Sequence, residues 1–229
     1  MKQFLALVIR WTCVFALAFT TAFLVMHFGR RTGWYKEHLY ILLISGDSDQ
    51  RLRAASGLAQ VEGQEQLLRA LKVDDPAVYE MARRALEHLW FSAAGREAYD
   101  RMEVAYAAAE KEQYDQALKV LNELTAKYPN YAEAWNRRAA VLWRKGNYQE
   151  SLQNCERALK LNPNHYGALQ GIGVCQIQLG DVDEACRSLR AALTIAPHDE
   201  ATRRSLQKCE ELLRARPSLS KPSRPSDLL

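Results

Sequence analysis

The stretch AEAWNRRAAVLWRKGNYQESLQNCERALKLNPNH, Ala132 to His165, reads as two helices broken by a turn at Gly146 and Tyr148 and stopped by Pro163. Its landmarks recur at a fixed offset on both sides. Pro129, Pro163 and Pro197 stand 34 residues apart, as do Ala105, Ala139 and Gly173, Ala117, Ser151 and Ala185, and Tyr114, Tyr148 and Val182. Small residues at matched places on two helices let those helices pack closely. The large residue fills the space beside the turn, and proline, which lacks an amide hydrogen, stops the second helix. Each unit is therefore a helical hairpin, and the hairpins form a repeat array.

These units resemble the tetratricopeptide repeat. Ala132 to His165 carries the pattern most fully, with Trp135, Ala139, Gly146, Tyr148, Ser151, Ala158 and Pro163 at its places. Tyr166 to Asp199 follows with Leu169, Gly173, Gly180, Ala185, Ala192 and Pro197. Ala98 to Tyr131 departs from it: Glu112 replaces the turn glycine and Leu124 the second-helix alanine, which predicts an altered packing angle there. EATRRSLQKCEELLRA, from Glu200, continues a helical stripe through Leu206, Cys209 and Leu213 and reads as a capping helix. The array so defined covers 98 to 215.

The resemblance implies an all-α, right-handed solenoid of hairpins whose first helices line a concave groove that binds peptide segments or helices of partner proteins. The groove positions are then Met102, Asn136 and Gln170; Tyr106, Ala140 and Val174; Ala109, Trp143 and Ile177; and Glu110, Arg144 and Gln178. Met102, Tyr106, Trp143, Val174 and Ile177 would form an apolar floor, although Val174 and Ile177 are equally suited to packing between helices. Asn136, Arg144, Gln170 and Gln178 would hold a partner's backbone. Arg144 is the one cation in these rows, so a clamp for a terminal carboxylate is not expected.

Residues 37 to 95 show a weaker repetition. DSDQRLRAASGLAQV from Asp47 and DDPAVYEMARRALEHL from Asp74 each place acidic residues at a helix start, where carboxylates cap free amides and oppose the dipole. His38 to Ser45 and Gln64 to Val73 would be their first helices, and the segment resembles a pair of degenerate HEAT-type repeats. No strand-period alternation occurs in the chain.

Toward the amino terminus, Trp11 to Phe28 reads WTCVFALAFTTAFLVMHF, with no Asp, Glu, Lys or Arg. At about 1.5 Å per residue it reaches roughly 27 Å, which predicts one transmembrane helix within an anchor segment of residues 1 to 36. Ala16-Leu17-Ala18 fits a signal-peptide cleavage site, but cleavage there would strand an apolar tail on the mature chain, so an uncleaved anchor is the better reading. Residues 216 to 229, rich in proline and serine, are expected to lack a fixed fold.

The net charge of +4 lies at the ends. Lys2 and Arg10 face no acid before residue 30, and Arg214, Arg216, Lys221 and Arg224 face only Asp227 after 213. The remainder is close to neutral, which excludes a basic face for nucleic acid. The five cysteines form no C-x-x-C pair and read as buried or free thiols. Such thiols suit a reducing compartment. The positive-inside balance is close to a tie, and the folded part is expected in the cytoplasm. None of the five histidines has the H-E-x-x-H spacing, and His165 and His198 fall at repeat boundaries, where a solvated loop is expected. Gly171 and Gly173 sit inside a helical pattern with no preceding strand, so they form no dinucleotide loop. The sequence thus predicts a single-pass membrane scaffold that binds a protein partner and has no catalytic site, cofactor, metal or small-molecule substrate. The competing reading is a structural subunit of a membrane assembly with an empty groove.

Overall fold

A computed structural model describes residues 32 to 215, together with Trp11, Thr12, Ala16 and Thr20, which are helical. The rest of the expected span and the tail from 216 lie outside the described residues. Among the described residues no helix is long and apolar enough to cross a membrane. Eleven helices run through them in chain order: α1 (Gly33–Ser45), α2 (Ser48–Gln60), α3 (Gln64–Ala70), α4 (Pro76–Ser92), α5 (Arg96–Glu110), α6 (Tyr114–Lys127), α7 (Ala132–Arg144), α8 (Tyr148–Leu161), α9 (Tyr166–Leu179), α10 (Val182–Ile195) and α11 (Glu200–Ala215). The chain divides into two compact units, 1 to 89 and 90 to 229.

In the first unit, Leu39, Leu43, Leu58, Leu67, Leu71, Val78 and Leu86 are buried, and α1 packs on α2. Its helix starts follow the carboxylates. Asp47 accepts the Gln50 amide at 2.8 Å while the Gln50 side chain accepts the Asp47 amide at 3.0 Å, a reciprocal box that satisfies two otherwise orphaned donors. At the second start it is Asp75 rather than Asp74 that caps, accepting from Ala77 and Val78. Asp75 also pairs with Arg51 at 2.9 Å. The helix expected from His38 begins earlier, at Gly33, inside the segment assigned to the anchor.

The second unit begins within the last turn of α4, before the expected limit at residue 95. Aromatic contacts explain why. Trp90 stacks on His165 with centroids 4.5 Å apart, Phe91 meets Tyr99 edge-on at 5.0 Å, and the Tyr131 hydroxyl donates to the Phe91 carbonyl. Ala98, Met102, Ala105, Leu121, Leu124, Tyr131 and Ala134 then form a continuous core across the first hairpin.

The hairpin turns are built alike. The amides of Gln113, Asn147 and Asp181 each donate at 2.9 Å to the carbonyl five residues earlier, on Ala108, Leu142 and Gln176. That closure needs a left-handed residue just before the donor. Gly146 and Gly180 supply it at φ 81 and 88, and Glu112 does so at φ 58. The departure noted in the first unit therefore leaves the turn intact and carries a backbone cost. Glu112→Gly should relieve it, because a side chain in this conformation costs roughly 1 kcal/mol and glycine's larger unfolded-state entropy offsets only part of the gain. A rise in melting temperature of about 1 to 3 °C is the expected result, checked by calorimetry.

Close approach also fixes the small positions. A Cβ on Gly173 would meet the Leu189 side chain at 2.5 Å, and the Ser151 hydroxyl donates to the Ala139 carbonyl at 2.8 Å. The capping helix α11 lays Leu206, Cys209 and Leu213 on Val182, Ala185, Cys186 and Leu189 of α10. Here the cysteine expectation fails. Cys186 and Cys209, both buried and with Cα atoms 5.9 Å apart, are joined in a disulfide from α10 to α11. Cys155 and Cys175 are buried free thiols, and burial pushes both thiols up, away from reactivity.

Candidate functional site

The first helices of consecutive hairpins, α5 and α7, enclose a small surface cavity of about 50 Å³. Tyr106, Ala109 and Glu110 line one wall; Ala140, Arg144 and Arg137 line the other. The small side chains Ala109 and Ala140 create the space, and the Tyr106 ring, 46 % exposed, stands beside it. Arg137, absent from the rows read in the sequence, places its guanidinium 5.8 Å from the Tyr106 ring centroid, within cation–π range. Arg144 reaches back across the hairpins toward the Ala109 carbonyl at 3.5 Å. Two arginines therefore border the cavity, one more cation than the sequence rows contained.

Trp143 sits on the last turn of α7, 38 % exposed, its ring 6.3 Å from Tyr148. Asn136 and Gln170 are half-buried, Val174 likewise, and Gln178 is exposed. One expected floor residue is corrected, and for another the packing alternative is the one seen. Met102 is fully buried: it closes the base of the cavity from within the core of Leu121, Leu124 and Tyr131 and presents no surface to a ligand. Ile177 turns toward the α10 and α11 core formed by Val182, Cys186, Leu189 and Cys209. Each sits at a helical angle that a neighbouring helix covers. Of the expected site the cavity thus gathers Tyr106 and Arg144, with Met102 closing its base, while Asn136, Trp143, Gln170, Val174, Ile177 and Gln178 do not line it.

Behind the Arg137 wall lies a buried polar cluster. The Glu133 carboxylate, 4 % exposed, takes Arg137 Nε at 2.5 Å on one oxygen and His165 Nε2 at 2.8 Å on the other. His165, expected in a solvated loop, is 2 % exposed, caps α9 by accepting the Ala168 amide on Nδ1 at 3.2 Å, and stacks on Trp90. Because Nδ1 accepts, the proton is assigned to Nε2, which donates to Glu133. Burial pushes the Glu133 carboxyl up, but the Arg137 charge and the hydrogen bond from His165 outweigh it and hold the group below its ordinary value. The cluster fixes where Arg137 stands, and through it the cavity wall. With Glu133 itself buried, the cluster works as a support for the cavity wall. No group of three or more His, Cys, Asp or Glu side chains suited to a metal occurs among the described residues.

Three family models described as tetratricopeptide repeat match residues 102 to 131, 132 to 165 and 151 to 200. The chain is 33 % identical over 112 residues to a TPR repeat-containing protein of Rhizobium etli, covering 49 % of this chain and 55 % of that one. It is 30 % identical over 102 residues to DnaJ homolog subfamily C member 7 of Mus musculus, covering 44 % of this chain and 21 % of the relative. The chain thus spans about half the length of the first of these relatives and a fifth of the second. Among solved structures, the first TPR domain of Spaghetti (RPAP3) bound to the HSP90 peptide SRMEEVD is similar with a TM-score of 0.49 and 19 % identity, over 50 % of this chain and 91 % of that one.

Proposed function

We propose that this tetratricopeptide-repeat protein is a scaffold that holds a segment of a partner protein on the face formed by α5 and α7, without chemistry of its own. The observation that carries this reading is the exposure of two large aromatics on the first helices of consecutive hairpins: Tyr106, beside a cavity bordered by Arg137 and Arg144, and Trp143, at the end of α7 outside that cavity. Exposed aromatics beside guanidinium groups are the usual anchors of protein recognition. The HSP90 peptide held by the RPAP3 domain is an instance of such a ligand on a similar array. Attachment to a membrane is part of the proposal and is supported by the uncharged run from 11 to 28. A HEAT-like role for the helices before the array is supported by the packing of α1 on α2 and by the carboxylate caps of α2 and α4.

The test is Trp143→Ala. The ring is 38 % exposed, so its loss gives up partial burial as well as one aromatic contact, a cost to the array of about 2 kcal/mol. An anchor of this kind costs binding on the order of 2 kcal/mol, roughly a thirtyfold weaker Kd. Affinity capture from membranes followed by titration of the captured partner's segment should show that loss in an array that stays folded, its melting temperature lowered by roughly 5 to 10 °C. Equal binding by both proteins would remove the groove from the function.

A further inference from the structure

Helix α1, GWYKEHLYILLIS, is apolar on nearly every side, a composition that belongs in a core or against lipid. One side is in the core, with Leu39 and Leu43 buried. The opposite side is not. Trp34, His38 and Ile41 follow one another at helical spacings of four and three, so they share a stripe, and Trp34 is 75 % and Ile41 55 % exposed. The Trp34 ring stacks nearly parallel on the His38 imidazole, at 5.8 Å and 10°, which holds it along the helix surface. Beside the stripe runs an open groove between α1 and α2, bordered by Tyr35, Leu42 and the 57 % exposed Leu52.

Charge on this surface is one-sided. Glu37 is the one acidic residue of α1, and it is drawn away toward α3, accepting from Arg69 at 2.6 Å and from Gln66 at 2.9 Å. No carboxylate lies on the stripe, whereas Arg30 and Arg31 precede it directly in the sequence. Distance supplies the rest. Phe28, the last residue of the uncharged run, is six residues before Trp34, and six residues reach at most about 20 Å. A run that ends at the edge of the hydrocarbon therefore keeps Trp34 within reach of the headgroup layer, which is roughly 5 to 8 Å deep. That layer is where tryptophan is enriched and where cationic side chains meet anionic lipid.

We propose that α1 lies on the membrane surface with the Trp34, His38 and Ile41 stripe seated among anionic headgroups, so that the first unit is held against the bilayer as well as tethered to it. This rests on reading 11 to 28 as the anchor, and the experiment separates the two. The full chain is reconstituted in phosphatidylcholine–phosphatidylglycerol vesicles with the photo-crosslinker benzoylphenylalanine in place of one residue at a time, at Thr20, Trp34, Ile41 or, as an exposed control, Val104. Lipid adducts are read by mass spectrometry. Adducts at positions 20, 34 and 41, several-fold above position 104 and reduced at 34 and 41 when phosphatidylglycerol is omitted, are the expected result. Adducts at 20 without adducts at 34 and 41 would overturn the surface-bound helix while leaving the anchor standing. Crosslinks from 34 or 41 to a second copy of the chain would show a protein interface instead and would also overturn it. Absence of lipid adducts at all positions would remove the anchor and this inference together.

Discussion

Glu133→Ala is expected to destabilise the repeat array by about 3 kcal/mol or more, the largest effect of any single change on the groove side. The substitution takes the acceptor from His165 Nε2 and the carboxylate from Arg137 in one step, inside a site where Glu133 and His165 are both buried. Removing one member of a buried charged network exposes the desolvation cost that its partners had offset. Glu133→Gln keeps an acceptor for His165 in the same shape and should cost clearly less, so the pair of variants separates lost charge from lost volume. Acid should imitate the alanine variant. The Glu133 carboxyl is held below its ordinary value of 4.5 in the folded state, so its contribution is fully present above that pH and is lost as pH falls through the lowered folded value. Urea melts of wild type and both variants at neutral and acidic pH check this: the gap between wild type and Glu133→Gln should narrow as pH falls.

Cys209→Ala should remove about 3 kcal/mol of stability measured under oxidising conditions, and a reductant acting on the wild type should remove a similar amount. The Cys186–Cys209 bond closes a loop of sequence separation 23, and the chain-entropy cost of such a loop in the unfolded state is of this size. Because each element of a repeat array contacts only its neighbours, the loss should concentrate in α10 and α11. Hydrogen exchange checks the location: amides of α11 should lose protection while those of α5 and α6 keep theirs.

The repeat architecture was legible because it is written in spacing. Pro129, Pro163 and Pro197 and the small positions around Ala139 mark the same steric event at each recurrence, and periodicity reports such events directly. Asp47 was legible for a related reason: capping is local, and its partner Gln50 is three residues away. Met102 was misjudged, and Ile177 left open, because spacing gives a residue's angle on its own helix and leaves open which angles the next helix covers. Met102 meets Leu121, Leu124 and Tyr131, while Ile177 meets the capping helix. The Glu133, Arg137 and His165 cluster left no trace in the pattern, since it depends on a carboxylate and an imidazole 32 residues apart meeting once, in the middle of the array. Glu112 shows the converse, a sequence departure that the backbone absorbs without changing the turn.

The link between α10 and α11 also bears on sidedness. Disulfides persist where the surroundings are oxidising and are reduced in the cytosol. If residues 11 to 28 anchor the chain, as proposed above, all of its repeats lie on one face of the bilayer, and the charges flanking that run give the positive-inside rule little to act on. Cys186 and Cys209 then become a record of topology kept by the protein itself: joined when the array has been exported, and a pair of alkylatable thiols when it faces the cytosol. The same array would accordingly work with a locked end cap on one side of the membrane and a looser one on the other.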